Sequence, residues 1–436
     1  MNDWYKRRGY PHFDSAISRT AIADLVVQPA LVAKWQFYPL IRYIKIGDNA
    51  HGKAQRDAKR RPISYASHKD AHLYAFYAAL LSERYEALLA SRQLADSVIG
   101  FRSLNGRSTI HHACDAFSHI KNKGACIAIA FDVTAFFDSL DHAFLKGIWA
   151  EVLNVPRLPE DHYAIFKSIT RYAWVDRAAA LNELRIGARR QALLSARVPM
   201  CTSADFHRLI KERELIKVNA TSKGIPQGTP ISALLSNIYM LRFDEAAQKV
   251  AERLGGRYWR YCDDILLVVP PDAAGAAAEI EAAISASLLE VNPEKTEIVR
   301  FAIGADGQQV AVQAREGRNR VALTPRLQYL GLVYDGRTVA IRKKSIDGYI
   351  RKMQRAVKLA RNTKARHDSL RLAHGEPERP LHRRKLYSRY SKKGDRNFHS
   401  YGQRVAAIAS GLDPISVLRQ LQKLDNGLIR AVRAAK

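Results

Sequence analysis

Cysteine is scarce in this chain: four in 436 residues (Cys114, Cys126, Cys201 and Cys262), scattered and with no Cys-x-x-Cys pair. That excludes a disulfide framework, offers no zinc-site spacing, and fits a reducing cytoplasm. Long apolar runs are lacking too. The longest, near Ile265 to Leu289, is broken by Asp272, Glu279 and Glu281, so no membrane span is expected. The opening MNDWYKRRGY has no apolar stretch of the signal-peptide kind. Acidic residues are in short supply, 42 against 70 Lys and Arg, which leaves a formal net charge of +28. A surplus of that size costs self-repulsion that a catalyst for small molecules rarely carries, and it points to a polyanionic partner.

What is present completes the outline. Apolar residues make up 47% of the chain, enough for a substantial core, and the length suits two to three domains or one multi-lobed domain. The charge is uneven: residues 341–436 hold 25 Lys and Arg against 7 Asp and Glu, so +18 of the +28 lies in the last 96 residues. That region is expected to grip nucleic acid. No internal repeat is visible.

Local patterns give the elements. Residues 1–60 mix aromatic and basic side chains without periodicity and read as an extension with loops. Apolar residues at three- and four-residue spacing predict a helix over Ala71 to Leu89. VIGFRSLNGRST reads as a strand and a loop turning at Asn105-Gly106. ACIAIAFD is a buried strand that delivers Asp132 at its end. Residues 150–222 read as mostly helical, with basic Arg189 and Arg190. TSKGIPQGTP is a loop in which Thr229 caps a helix starting at Pro230 and running to about Leu254, before Gly255-Gly256. RYWRYCDDILLVV is a hairpin tipped by acids, followed by a helix from Asp272 to Leu289 and a strand TEIVRF. LQYLGLVYDGRTVAI is a further hairpin turning at Asp335-Gly336. Beyond it the chain reads as helical and basic.

Two acid-tipped strands side by side are what phosphoryl transfer by two divalent cations requires, one cation activating a hydroxyl and one neutralising the leaving group. Magnesium takes hard oxygen ligands and keeps several waters, so a few carboxylates and the substrate's phosphates suffice. Taken singly, a strand-ending Asp132 is ordinarily a cap, an Asp263-Asp264 pair a solvated turn, and Asp138 and Asp141 surface or capping acids. The ordered set decides.

That set resembles the reverse transcriptase family over about residues 60–335. FDVTAFFDSLDH is similar to the family's motif A, GIPQGTPISALLSNIYM to motif B, YCDD to the Y-x-D-D box, LEVNPEKT to motif D, YLGL to motif E, and VIGFRSLNGRS to the fingers segment before the palm. The resemblance implies an α+β right-hand polymerase: an extension over 1–60, fingers over 61–124 and 150–222, a palm with an antiparallel sheet over 125–149 and 223–335, and a basic helical thumb over 336–436. It implies two Mg²⁺ ions held by Asp132, Asp263, the companion acid Asp264 and the Val133 carbonyl. It also implies that Arg102 meets the incoming triphosphate, that Lys295 protonates the leaving pyrophosphate, and that Gln227 and Gly228 lie against the nascent base pair. An ordinary surface arginine and a solvated helix-end lysine are the plain alternatives for Arg102 and Lys295. Phe137, the fifth residue after Asp132, puts a ring where viral RNA polymerases resemble a second aspartate, so a ribose 2′ hydroxyl is excluded and DNA is the expected product; a core role is the alternative.

Within the family, Pro226-Gln227-Gly228 departs from the Ser-Gln motif of diversity-generating enzymes, no Val-Thr-Gly retron signature is found in the thumb region, and the chain is short for a maturase. KRRPISYASHKDAHLYAFYAALLSERYE resembles the region before the fingers in defence-associated bacterial reverse transcriptases. The expectation is an antiviral cytoplasmic enzyme copying a structured non-coding RNA with dNTPs and holding an RNA–DNA duplex. Alternatives are an intron-type or retron-like enzyme, or a non-catalytic RNA-binding scaffold. The aromatic N-terminus (Trp4, Tyr5, Tyr10, Phe13, Trp35, Phe37, Tyr38) is a candidate for part of the RNA recognition, with core packing the plain role for each.

Overall fold

The computed structural model describes residues 3–46, 60–273, 275–316, 320–322 and 324–435. Helices Arg19–Val26 and Pro29–Ala33 lead into β1 (Leu40–Ile46), which pairs with β2 (Arg60–Tyr65), and helices His68–Ser91 and Thr109–Lys123 follow. After β3 (Cys126–Asp132) come helices Phe136–Ser139, His142–Leu153 and Glu160–Thr170, then β4 (Ala173–Asp176) and β5 (Lys217–Val218). Helices Ser232–Tyr239 and Leu241–Arg253 precede β6 (Arg257–Tyr261) and β7 (Asp264–Val269); helix Ala276–Ala286 precedes β8 (Glu297–Ile303), β9 (Gln309–Glu316) and β10 (Arg320–Val321). The last strands are β11 (Leu327–Tyr329), β12 (Leu332–Tyr334) and β13 (Val339–Ile341), and helices Lys343–Ala373, Arg384–Tyr390, Phe398–Ile408 and Ile415–Arg433 close the chain.

Among the described residues three sheets form, ordered β2-β1-β4-β5, β10-β9-β8-β3-β7-β6 and β11-β12-β13. The six-stranded sheet explains its own sequence. Alternate residues of β7 enter two different cores, Ile265, Leu267 and Val269 on one face and Leu266 and Val268 on the other. A strand buried on both faces reads as a continuous apolar run rather than an alternation. Helices His68–Ser91, Ser232–Tyr239 and Leu241–Arg253 fill the first core; helix Thr109–Lys123 and the β11-β12-β13 sheet fill the second. A third core, with Tyr349, Met353, Leu386, Leu424 and Leu428, holds the C-terminal helices together.

Several elements differ from expectation. Residues 3–18 are free of helix and strand, as expected, yet they are packed: Trp4 sits edge-on to Phe76 at 5.6 Å, Tyr5 stacks on His72 at 4.7 Å, and Phe13 lies in a small core with Ile41 and Val175. Asp14 accepts the His68 and Lys69 amides, and Asp70 accepts from the Trp35 indole and the Tyr38 amide, so acids anchor this segment to the start of helix His68–Ser91. The charge-rich stretch at 47–59 lies outside the described residues. The helix expected from Pro230 to Leu254 starts at Ser232 and breaks at Met240. The Thr229 and Ser232 hydroxyls bond each other at 2.5 Å, and Ser232 donates to the Pro226 carbonyl, which holds the preceding loop instead of capping. The helix expected over 272–289 covers Ala276–Ala286. The last hairpin signal is two hairpins, because Leu330 and Gly331, at φ 45° and 88°, make a two-residue turn ahead of Asp335-Gly336. Among the described residues no helix is long and apolar enough to cross a membrane.

Candidate active site

Strand β3 lies between β7 and β8, and its antiparallel register sets Asp132 directly opposite Asp264. Strands β6 and β7 pair Tyr261 with Asp264, so Cys262 and Asp263 are the two turn residues between them. Cys262 takes a left-handed φ of 59° with its side chain buried, a strained conformation for a residue with a Cβ. The three acids thus come from one strand end and one tight turn, elements that the double-sided core makes rigid.

Asp132 and Asp264 line a cavity of about 640 Å³, with Asp263 on the turn beside it. Its other walls carry the cations Arg61, Lys295, Arg342 and Lys344 and the acids Glu294 and Glu297. Desolvation by the cleft walls, then repulsion from Asp263 and Asp132, pushes the Asp264 carboxyl up to about 6, while Arg342 and Lys295 pull the other way. Asp264 keeps a solvent-accessible face, so the carboxylate remains open to the cleft. The Lys295 ammonium meets Asp132 Oδ2 at 2.5 Å, with the Asp132 side chain 23% exposed.

Among the described residues, no three His, Cys, Asp or Glu side chains are gathered closely enough to hold a metal unaided. The donor set nonetheless suits Mg²⁺. It is all carboxylate and partly solvated, and the mutual repulsion of Asp263, Asp132 and Asp264, which adds to desolvation in raising the Asp264 carboxyl, is one that a divalent cation would relieve. Val133 follows in an isolated bridge with Val291, whose hydrogen bonds run through the Asp132 and Glu290 carbonyls rather than its own.

The other expected site residues divide. Phe137 is half-buried, edge-on to Phe136 at 5.6 Å, and its carbonyl accepts the Ile225 amide at 2.9 Å, which ties the segment after Asp132 to the Gly224–Gly228 loop. In that loop the Gln227 carbonyl accepts the Ser64 amide at 2.9 Å. Gly228 has φ +116°, and a Cβ there would come within 2.7 Å of the Ser64 carbonyl oxygen. Glycine is therefore required where the loop crosses β2.

Arg102 is placed otherwise than expected. Its side chain is 5% exposed, and its guanidinium grips both Glu86 oxygens, at 2.9 and 2.6 Å, the Ala95 carbonyl at 2.6 Å and the Val98 carbonyl. Four of its five N–H donors are thus engaged inside the protein, which turns the guanidinium toward Glu86 and away from the role expected of it. The cause is local: Phe101 adopts φ 55° and turns its own ring outward, 49% exposed, so that Arg102 points in. Arg61, missed in the sequence, is on the cavity wall instead. The available signal was strand period: Arg61 shares a face of β2 with Ile63, whose methyl would lie 3.0 Å from a Cβ on Gly228.

An antiparallel sheet presenting three acids at one strand end and one turn, flanked by cations and a glycine loop, defines a polymerase palm. The family model "Reverse transcriptase (RNA-dependent DNA polymerase)" matches residues 52–334, and the chain belongs to that family. It is similar to the Retron Mx162 reverse transcriptase of Myxococcus xanthus, 26% identical over 129 residues, a match covering 27% of this chain and 27% of that protein. The chain thus spans about a quarter of the curated relative's length. Among solved structures it is similar to an apo telomerase from Candida tropicalis truncated from its C-terminal domain, with 13% identity, a TM-score of 0.36, and coverage of 76% of this chain and 62% of that one.

Proposed function

We propose that this chain is an RNA-directed DNA polymerase that copies a structured non-coding RNA into DNA in the cytoplasm, with Asp132, Asp263, Asp264 and the Val133 carbonyl holding two Mg²⁺ ions. The observation that carries this reading is the register setting Asp132 opposite Asp264, with Asp263 on the adjoining turn and cations around them. When bound, the ions supply activation of the primer hydroxyl and neutralisation of pyrophosphate. The chain's own groups do the rest. Arg61, in place of Arg102, contacts the triphosphate; Lys295, leaving Asp132 as the site charges, donates its proton to pyrophosphate; Gln227 and Gly228 support the nascent pair.

Phe137 excludes the 2′ hydroxyl from beneath the sugar. The lobes are a palm over 125–149 and 223–335, fingers over 61–124 and 150–222, and a thumb over 336–436 that holds the RNA–DNA duplex. The resemblance of the pre-fingers segment to defence-associated enzymes supports an antiviral role. The likeness to a retron enzyme supports a second reading, a retron-like one, with the same chemistry and a locally encoded template.

Primer extension on an RNA template with dNTPs and Mg²⁺ tests the activity. Asp263→Ala or Asp132→Ala is expected to lower kcat by about 10³-fold, the scale of several kcal/mol of lost charge stabilisation, with the thermal midpoint nearly unchanged. Full extension by either variant would sink the site, and absence of extension by the wild type would favour a scaffold. Phe137→Ala is expected to admit ribonucleotides; equal dNTP over rNTP preference in wild type and variant removes Phe137 as the gate. Sequencing RNA carried through purification settles the template, since a random sample of transcripts speaks against a dedicated one.

A further inference from the structure

Immediately before the catalytic turn, Arg260 is a fully buried arginine, 0% exposed, and so is its partner Asp244 sixteen residues earlier on helix Leu241–Arg253. The pair is bidentate, Nε to Oδ1 at 2.6 Å and NH2 to Oδ2 at 2.6 Å, and the Tyr258 hydroxyl donates to Asp244 Oδ1 at 2.5 Å. The remaining guanidinium nitrogen, NH1, donates to Asn237 Oδ1 at 2.9 Å and to the Cys262 carbonyl at 3.1 Å. Asn237, also fully buried, donates in turn to the Gly100 carbonyl at 2.7 Å. The Arg260 backbone is bonded to the same segment, its amide donating to Ser97 and its carbonyl accepting from Ile99 and Gly100.

A charge pair in a dry interior stabilises little net, because desolvating both ions offsets their attraction. Its geometry, however, is fixed. Arginine is the side chain whose planar fork can satisfy a carboxylate on one edge and two further acceptors on the other. One of those acceptors is the carbonyl of Cys262, the residue held at φ 59°. That peptide links Cys262 to Asp263, so the guanidinium holds the plane from which Asp263 projects. From the other side, Gly100 closes on the turn: a Cβ there would meet the Cys262 nitrogen at 2.5 Å and the Tyr261 Cα at 2.9 Å.

We infer that Arg260, oriented by Asp244 and Asn237, is a positioning residue for polymerisation: it locks the strained Cys262-Asp263 turn and ties it to the 97–100 segment. The inference rests on reading Asp263 as a metal ligand. A turn freed from this lock keeps its carboxylate but presents it over a spread of positions, so metal affinity and the chemical step fall while nucleotide recognition by other groups stands.

The test uses the full chain. In Arg260→Gln/Asp244→Asn both charges go together, which spares the fold an unpaired ion, and glutamine is too short to reach the Cys262 carbonyl. Arg260→Lys keeps a cation for Asp244 but has no fork for Asn237 and Cys262. For both, kcat is expected to fall by about 10²-fold, the cost of a misplacement near 1 Å, with the Mg²⁺ half-saturation raised several-fold and the dNTP KM nearly constant. A purely structural role would lower the thermal midpoint without moving the Mg²⁺ curve. Folded variants with wild-type kcat and Mg²⁺ dependence overturn the inference, as does failure of Arg260→Lys to fold, which would make the cluster a fold element. Asp263→Ala run alongside separates the two readings: activity there removes the metal-ligand assignment itself, whereas a dead Asp263→Ala beside normal Arg260 variants removes only the positioning.

Discussion

The catalytic sheet and the C-terminal helices use the same residue types in opposite ways. Behind the catalytic turn two arginines are interior and paired, Arg260 with the buried Asp244 and Arg102 with the part-exposed Glu86. In the C-terminal region, helix Lys343–Ala373 buries only Tyr349, Met353, Val357 and Asp368 of its 31 residues, and cations such as Lys358 and Arg361 stand exposed. Interior charge is costly to dehydrate and exacting in geometry, so it fixes atoms; exposed charge is cheap and screened, so it attracts a polyanion without defining its place. An arginine's role here follows from its surroundings. On the proposed function, the sheet region would set distances and the helical region would supply affinity.

Arg102 and Arg61 give the sharpest way to break that contrast, since both lie near the catalytic sheet and only one is buried. Arg102→Ala leaves Glu86 and the Ala95 and Val98 carbonyls without their donor. A loss of about 3 kcal/mol in unfolding free energy is expected, below the full value for a buried pair because the Glu86 side chain reaches solvent. Its dNTP KM should stay near wild type in the folded fraction. Arg61→Ala should do the reverse: stability within about 0.5 kcal/mol of wild type, as for other exposed sites, and a dNTP KM raised about tenfold, the worth of one charge-assisted hydrogen bond. Denaturant melts beside steady-state kinetics decide it. A raised KM in Arg102→Ala at unchanged stability would return that residue to the triphosphate.

The same contrast explains what was legible in the sequence. Strands β3 and β7 were readable because burial on both faces writes itself as apolar runs, and the acids because they bound those runs, Asp132 at the end of β3 and Asp264 at the start of β7. Arg102 was misjudged because a motif fixes a residue's place along the chain but not its direction, and here the left-handed Phe101 reversed it. The Arg260–Asp244–Asn237 cluster left no trace, since its members sit on three elements and each looks ordinary alone. Arg61 was hidden inside a basic run, where composition masks the period-two pattern. The C-terminal helices were evident from composition, yet the docking of Leu424 and Leu428 on Tyr349 and Met353 is a matter of packing that charge counts do not carry.

A smaller effect tests the other half of the comparison. If exposed cations of the C-terminal region hold a duplex through its phosphates, binding should depend on released counterions, and each lost contact should flatten the salt dependence. Lys358 and Arg361 lie three residues apart on helix Lys343–Ala373, both exposed, so they share one face of it. Lys358→Glu/Arg361→Glu is expected to weaken binding of an RNA–DNA duplex and to lower the slope of log affinity against log salt by about two, near one per phosphate contact. Arg189→Glu/Arg190→Glu is the matched control, with the same change in net charge on exposed residues outside this region. Titrations at several salt concentrations separate the cases. Flattening by the first pair alone locates the grip on that helix. Equal flattening by both pairs would mean that the surplus acts as a field of the whole molecule, and the division of labour between sheet and helices would then be one of geometry, with no separate seat for affinity.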